Sequence, residues 1–299
     1  QASASDLGFI VGPRLNAAGR LDDMSIGIEC LLAASSASAR RFAEKLHQLN
    51  RERRDLEQSM QQDALAQLES IDLENDDSLF AMTLYDPAWH QGVIGILASR
   101  IRERVHRPTL VFADADGGML KGSGRSIAGL HLRDVLDQVA TRHPGLLTKF
   151  GGHAMAAGLS LVREDLDRFK QALNDAVAGA LGHTPPERTE DSDGALTPGD
   201  FGLLLAEQLA SGGPWGQHFP EPLFDGHFSV RSHRIVGEKH LKLTLDADGT
   251  EIEGIAFNID VSEWLAAPLE SLHALYRLDV NEYRGERRAQ LVIQSFWPC

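Results

Sequence analysis

Residues 79–113 read LFAMTLYDPAWHQGVIGILASRIRERVHRPTLVFA. Leu79–Tyr85 is an apolar run of strand length, closed by Asp86-Pro87. Ile96, Leu97, Ile101 and Val105 then recur at helical spacing until Pro108, and Thr109–Ala113 is a second apolar run. Strand, helix and strand at this spacing predict a βαβ unit. Trp89 and His90 fall where the first strand ends and the helix begins, which is where α/β folds place ligand groups. The same positions also suit a core plug (Trp89) and a helix cap (His90), and both readings stay open.

Downstream, Asp114–Gly118 has the composition of a hairpin turn. Lys121–Ile127 reads KGSGRSI. Gly122 and Gly124 flank Ser123, and Arg125 and Ser126 follow. Two hydroxyls, a pliable backbone and one guanidinium suit a phosphate, which Arg binds bidentately. A glycine-bulged strand with a surface Arg is the plain alternative. Leu130, Leu132, Val135, Leu136 and Val139 predict an amphipathic helix. Phe150–Leu161 then reads FGGHAMAAGLSL. Gly151 and Gly152 permit positive φ, and successive N–H groups in such a turn form an anion-binding concavity to which His153 adds a donor. The alternative is a tight turn before a buried strand near Gly158–Val162, with His153 inside the fold. A helix from about Glu164 to Ala180 completes an α/β domain over 71–184.

Upstream, residues 1–36 include GPRLNAAGRL at 12–21. Asn16 and Arg20 are four apart and share a face if the segment is helical. The segment is too short for a domain and reads as the tail of one lying upstream, in keeping with a chain that starts without Met. Residues 37–70 read as a long polar connector helix capped by Ser38. Phe42, Leu46, Leu49, Leu56 and Met60 make a narrow apolar stripe, and Arg51, Arg53 and Arg54 read as a solvated face.

Residues 185–222, rich in Pro and acid at the start, read as a linker with a short helix near 202–209. The class then changes. Apolar alternation at 228–230, 240–245, 252–257, 275–282 and 290–296 predicts five strands over 223–299, the pattern of a small barrel such as an OB-fold. Arg231, Arg234, Lys239, Lys242, Tyr283, Arg284, Arg287, Arg288 and Phe296 interleave basic and aromatic chemistry there. Such a surface binds single strands by charge and stacking, and a barrel with no nucleic-acid role fits the composition equally.

Composition limits the class. The chain has 299 residues, 42% of them hydrophobic, which is enough for two domains. No apolar run reaches the roughly 18 residues of a membrane span. Cys30 and Cys299 are too few for a disulfide framework or a Cys-rich zinc site, which fits a reducing cytoplasm. A formal charge of −14 argues against coating DNA with the whole surface, but not against a local basic groove.

Five stretches together carry a resemblance: GPRLNAAGRLDD (12–23), WHQGVIGILASRI (89–101), LKGSGRSI (120–127), KFGGHAMAAGLSL (149–161) and GPWGQHFPEPLFDGHF (213–228). The chain resembles the RecJ family of single-strand-specific DNA exonucleases within the DHH phosphoesterase superfamily. The resemblance implies a DHH-associated (DHHA1) α/β domain, joined by the connector helix to the tail of a DHH domain, with a C-terminal OB-fold. It implies 5′-to-3′ removal of nucleotides by a full-length hydrolase whose Asp and His residues hold Mn2+ or Mg2+. No Asp-His-His occurs here, so no metal and no cutting are expected of this stretch alone. By the same resemblance Ser123, Arg125, Gly151, Gly152, Arg20 and Asn16 hold the 5′-phosphate. His90, His153 and Ser126 line the cleft, and Lys239, Lys242, Arg284, Arg287 and Phe296 hold the strand on the barrel. The implied partner is single-stranded DNA, with a single-strand-binding protein or a helicase as candidates beyond it and no membrane. The rivals are another DHH-type phosphodiesterase acting on short oligonucleotides or cyclic dinucleotides, and a non-catalytic adaptor.

Overall fold

A computed structural model describes residues 6–69, 78–187, 189–216, 219–237, 240–257, 259 and 269–299. The chain divides into two compact units, 1–188 and 189–299.

The first unit opens with α1 (Gly12–Leu21), α2 (Ser25–Leu31) and the long α3 (Ser36–Glu69). Pro13 sits in the first turn of α1, where its missing N–H costs nothing. The cap of α3 is Ser35 rather than Ser38: its Oγ accepts the Ser38 N–H at 3.2 Å, so the helix starts earlier than the sequence indicates. Leu46 and Leu49 pack on Ala17 and Ala18 of α1, while Met60, Ala64 and Leu68 pack on the α/β core. Leu56 is exposed. Arg53 is not on a solvated face: it is buried, with Asn50 Oδ1 accepting its Nε–H at 3.3 Å and Glu57 paired to it at 2.6 Å.

The α/β core runs β1 (Met82–Tyr85), α4 (Ile94–Val105), β2 (Thr109–Asp114), β3 (Met119–Arg125), α5 (Leu132–Arg142), β4 (Lys149–Gly152), β5 (Ala156–Val162) and α6 (Leu166–Ala180). The sheet order is β1-β2-β3-β5-β4. β1 and β2 are parallel across α4, as a βαβ unit requires, and the remaining pairs are antiparallel. TLVFAD of β2 is buried almost throughout because helices cover it on both sides. On one face Leu110, Phe112 and Leu120 meet Leu132 and Leu136 of α5 and Phe169 and Leu173 of α6. On the other face Met82, Leu84, Val111 and Ala113 meet Ile94, Leu97 and Ile101 of α4. Gly158, Gly151 and Lys149, on the β5–β4 side, stay exposed.

The second unit is α7 (Leu203–Gly212) and a closed barrel of β6 (Phe224–Val236), β7 (His240–Ala247), β8 (Thr250–Phe257), β9 (Ser271–Tyr283) and β10 (Glu286–Pro298). All five strands foreseen from alternation are present, each longer than its apolar run. Register shifts at Val230/Ser232 and Ile293/Ser295 bend β6 and β10, which helps the sheet close. Tyr276 is fully buried in the centre, with Phe201 and Phe228 ringed about it. α7 packs against β9, so the residues before the barrel belong to its unit rather than to a free linker.

Candidate nucleic-acid interface

Alternation along β3 sorts KGSGR into two sets. Leu120, Gly122 and Gly124 face the α5–α6 core, and Lys121, Ser123 and Arg125 face the other way. A Cβ on Gly122 would stand 2.4 Å from the Phe112 ring, and one on Gly124 2.8 Å from Leu132. These glycines are therefore set by packing beneath the strand, not by a need to wrap phosphate.

The pairing register extends the outward set across the sheet. Arg125 lies opposite Ala156. Ser123, Gly158 and Gly151 form the next row, and Lys121, Ser160 and Lys149 the one after. The first turn of α4 stands over the Arg125 end of this face. A Cβ on Gly95 would approach Ser123 Oγ to 2.9 Å and Arg125 Nη2 to 3.0 Å. A helix N-terminus carries partial positive charge, so this contact adds to the cationic field.

Arg125 donates from Nη1 to Ser123 Oγ at 3.2 Å and to the Gly124 carbonyl at 2.8 Å. Burial, and then the like charges of Arg20 and Arg102, push its guanidinium below the ordinary arginine value. Among the described residues neither Arg125 nor Arg20 has a carboxylate partner. Three arginines held close together with two of them uncompensated concentrate positive potential at this end of the face.

Arg20, in the last turn of α1, donates to Gly92 O at 3.1 Å, and the Gly92 N–H donates to His90 Nδ1 at 3.0 Å. His90 O in turn accepts from Val93 N–H at the start of α4. His90 thus both caps the helix approach and, with Arg20, Trp89, Gln91 and Lys121, lines a cavity of about 440 Å³. Trp89 is buried in the core beneath it. Asn16 is exposed one turn before Arg20.

Three expectations change. Gly151 and Gly152 are strand residues of β4, and the turn of the hairpin is His153–Met155, closed by His153 N–H donating to Ala156 O at 2.8 Å. Gly152, at φ 150°, is required because a Cβ there would lie 2.4 Å from Ala156 O. Ser126 does not line a cleft: it is fully buried, its hydroxyl donating to Leu130 O at 2.7 Å and its N–H to Met155 O. Arg125 and Gly151 share a face but not a cavity. Gly151 lies in a neighbouring groove of about 330 Å³, and Lys121 borders both. Arg102, Lys121 and Lys149 escaped the sequence reading. The i, i+2 spacing of Lys121, Ser123 and Arg125 was the signal that puts them on one face.

On the barrel the nominated cations are largely engaged. Lys242 pairs with Glu253 at 2.9 Å and Arg287 with Glu207 at 2.7 Å. Arg284 lies over the exposed Tyr283 ring at the β9–β10 hairpin. Phe296 is half-buried against the barrel core. Lys239 lies outside the described residues. Among the described residues no three of His, Cys, Asp and Glu come together as a metal site. No helix among them is long and apolar enough to cross a membrane.

Comparison with known proteins agrees with this division. A DHHA1 domain model matches residues 76–179, and a RecJ OB domain model matches 192–295. The single-stranded-DNA-specific exonuclease RecJ of Dickeya dadantii is 52% identical over all of this chain, and that of Escherichia coli 48% over 99% of it. The chain spans about half the length of either, 52% in each case. The crystal structure of RecJ from Thermus thermophilus in complex with Mg2+ superposes with a TM-score of 0.78 at 29% identity, covering 98% of this chain and 44% of that one. A Mn2+ complex of the same protein superposes equally well. With a DHHA1 domain, a RecJ OB barrel and close to half its residues shared with RecJ nucleases along its whole length, the chain belongs to the RecJ family.

Proposed function

We propose that this chain holds the 5′ end of single-stranded DNA for a 5′-to-3′ exonuclease of DNA repair and recombination. The observation that carries the reading is the Arg20–Arg102–Arg125 cluster beside Ser123, under the first turn of α4, in which Arg102 pairs with Glu103 while Arg20 and Arg125 have no carboxylate partner among the described residues. A terminal phosphate supplies the charge that cluster lacks, and accepts bidentately from Arg125 once the guanidinium leaves Gly124 O. Arg20 and the Ser123 hydroxyl complete the cradle, with Asn16, His90 and His153 about it. The amides of Gly151 and Gly152 serve the neighbouring groove.

Hydrolysis belongs to the whole protein, with Mn2+ or Mg2+ as in the Thermus thermophilus complexes. There such an ion would polarise the phosphodiester and activate water, and this chain alone binds without cutting. In the barrel we assign strand contact to the Tyr283–Arg284 hairpin and Phe296, not to the paired Lys242 and Arg287. A protein-facing role for the barrel is the second reading. Residues 189–299 hold 18 acidic against 8 basic side chains, a poor surface for a polyanion.

The test compares 5′-phosphorylated and 5′-hydroxyl oligothymidylates by anisotropy. The chain should prefer the phosphorylated end about tenfold or more, and Arg125→Gln should abolish the preference, since a charge-assisted bond is worth roughly 1.5–3 kcal/mol. Equal affinity for the two ends would refute the reading.

A further inference from the structure

We propose that the row Lys121–Ser160–Lys149 is a second, separate phosphate-binding row, which takes backbone phosphates beyond the first nucleotide. It rests on the end-binding reading above, for the direction in which the strand lies.

Three observations converge on it. First, both lysines are exposed and, among the described residues, neither has a carboxylate partner. Asp114, which lines the cavity beside Lys121, is already engaged: it accepts from the Tyr85 hydroxyl at 2.7 Å and pairs with Arg163. Second, the row between the two cationic rows has no bulk beside Ser123. A Cβ on Gly151 would meet nothing within 4 Å, and one on Gly158 would come no closer than 3.9 Å to Gly122 O. This pair floors a groove of about 330 Å³ with Lys121 and Lys149 on its borders. Third, the spacing suits a chain and not a small ion. Lys121 is four residues from Arg125 on β3, about 13 Å at the strand rise, and two interstrand steps put about 10 Å between the Cα atoms of Lys121 and Lys149.

The ligand class follows. A terminal phosphate at Arg125 leaves the first sugar and base over the glycine floor, where backbone lies flat and open. The phosphates that follow then reach the lysine row. A mononucleotide engages the first row alone. The face is therefore built for an oligonucleotide running from β3 toward β4, and the lysines sense length while Arg125 senses the end.

The experiment uses the 299-residue chain with 3′-labelled oligothymidylates of two and eight nucleotides, each with a 5′-phosphate or a 5′-hydroxyl. Lys121→Gln/Lys149→Gln should weaken binding of the eight-mer about tenfold or more. It should flatten the slope of log affinity against log salt by about 1.4, since each phosphate neutralised on a single strand contributes about 0.7. The ratio of affinities for phosphorylated and hydroxyl ends should not move, and Lys121→Arg/Lys149→Arg should restore the slope. An unchanged slope and affinity in the glutamine variant, with end preference intact, would overturn the lysine row while sparing the end site. No end preference in the unaltered chain, with the lysine effect present, would overturn the end site while leaving two lysines on a strand of unknown direction. Failure of the unaltered chain to bind any of the four probes at low salt would overturn both.

Discussion

The Arg20 guanidinium donates to the carbonyl of Gly92 at 3.1 Å, joining the last turn of α1 to the loop that starts α4. The approach is close in the reverse direction too. A Cβ on Gly92 would sit 2.1 Å from Arg20 O. Gly92→Ala should push α1 off the loop and carry Arg20 away from Arg125. We expect a lower melting temperature, a cost of about 1–3 kcal/mol from overpacking, together with a loss of preference for 5′-phosphorylated strands. A variant that melts lower yet keeps the full preference would separate Arg20 from the phosphate site.

Gly152→Ala should act on stability through backbone strain. Gly152 holds φ 150° against the Ala156 and Ala157 backbone. The expected cost is about 1–3 kcal/mol, read as a shift in urea midpoint. Gly151→Ala, at the preceding residue but in open space, should unfold like the unaltered chain.

Arg53 and Glu57 form a largely buried pair inside α3, with Asn50 satisfying the guanidinium and Arg100 of α4 reaching Glu57 at 3.4 Å. Removing one partner strands the other charge. Glu57→Ala should destabilise by about 3 kcal/mol, whereas Arg53→Met/Glu57→Leu should recover most of that loss. Urea titrations of the three chains check the order.

Burial pushes the Tyr276 hydroxyl up to about 12, above the value near 10 of an unfolded tyrosine. Because the folded value is the raised one, the barrel keeps this contribution in full below about pH 10 and loses it as pH climbs toward 12. Barrel melting followed from about pH 9 to 11.5 should fall more steeply than in Tyr276→Phe. At the acid end the sign reverses. Ser192 and His273 hold Asp225 below the usual carboxylate range, so its contribution is present above about pH 4 and fades beneath it. Asp225→Asn should flatten that limb.

On the barrel, Lys242→Gln should leave single-strand affinity within about twofold, because Glu253 already neutralises that charge. Arg284→Gln should weaken it more, because Arg284 rests on an exposed ring and not on an acid. Equal effects of the two changes would argue against the hairpin as the contact.

Local pattern was enough to determine the classes of structure in this chain. Apolar runs at 79–85 and 109–113 around an amphipathic helix pointed to a βαβ unit, and the alternating runs after residue 223 suited a small barrel, the two classes the fold shows. KGSGR and GGH drew attention to β3 and β4 because their chemistry is unusual for a core. Tertiary structure decided what each residue does within those strands. Whether a glycine serves a turn, a ring beneath it or an open floor depends on what faces it across the sheet, as Gly152, Gly122 and Gly151 show in turn. Whether a cation is free depends on acids distant in sequence. Glu253 and Glu207 claim Lys242 and Arg287, while Arg163 and Tyr85 occupy Asp114 and leave Lys121 unpaired. Periodicity records which way a side chain points, but charge compensation is a sum over neighbours that only the folded chain brings within reach.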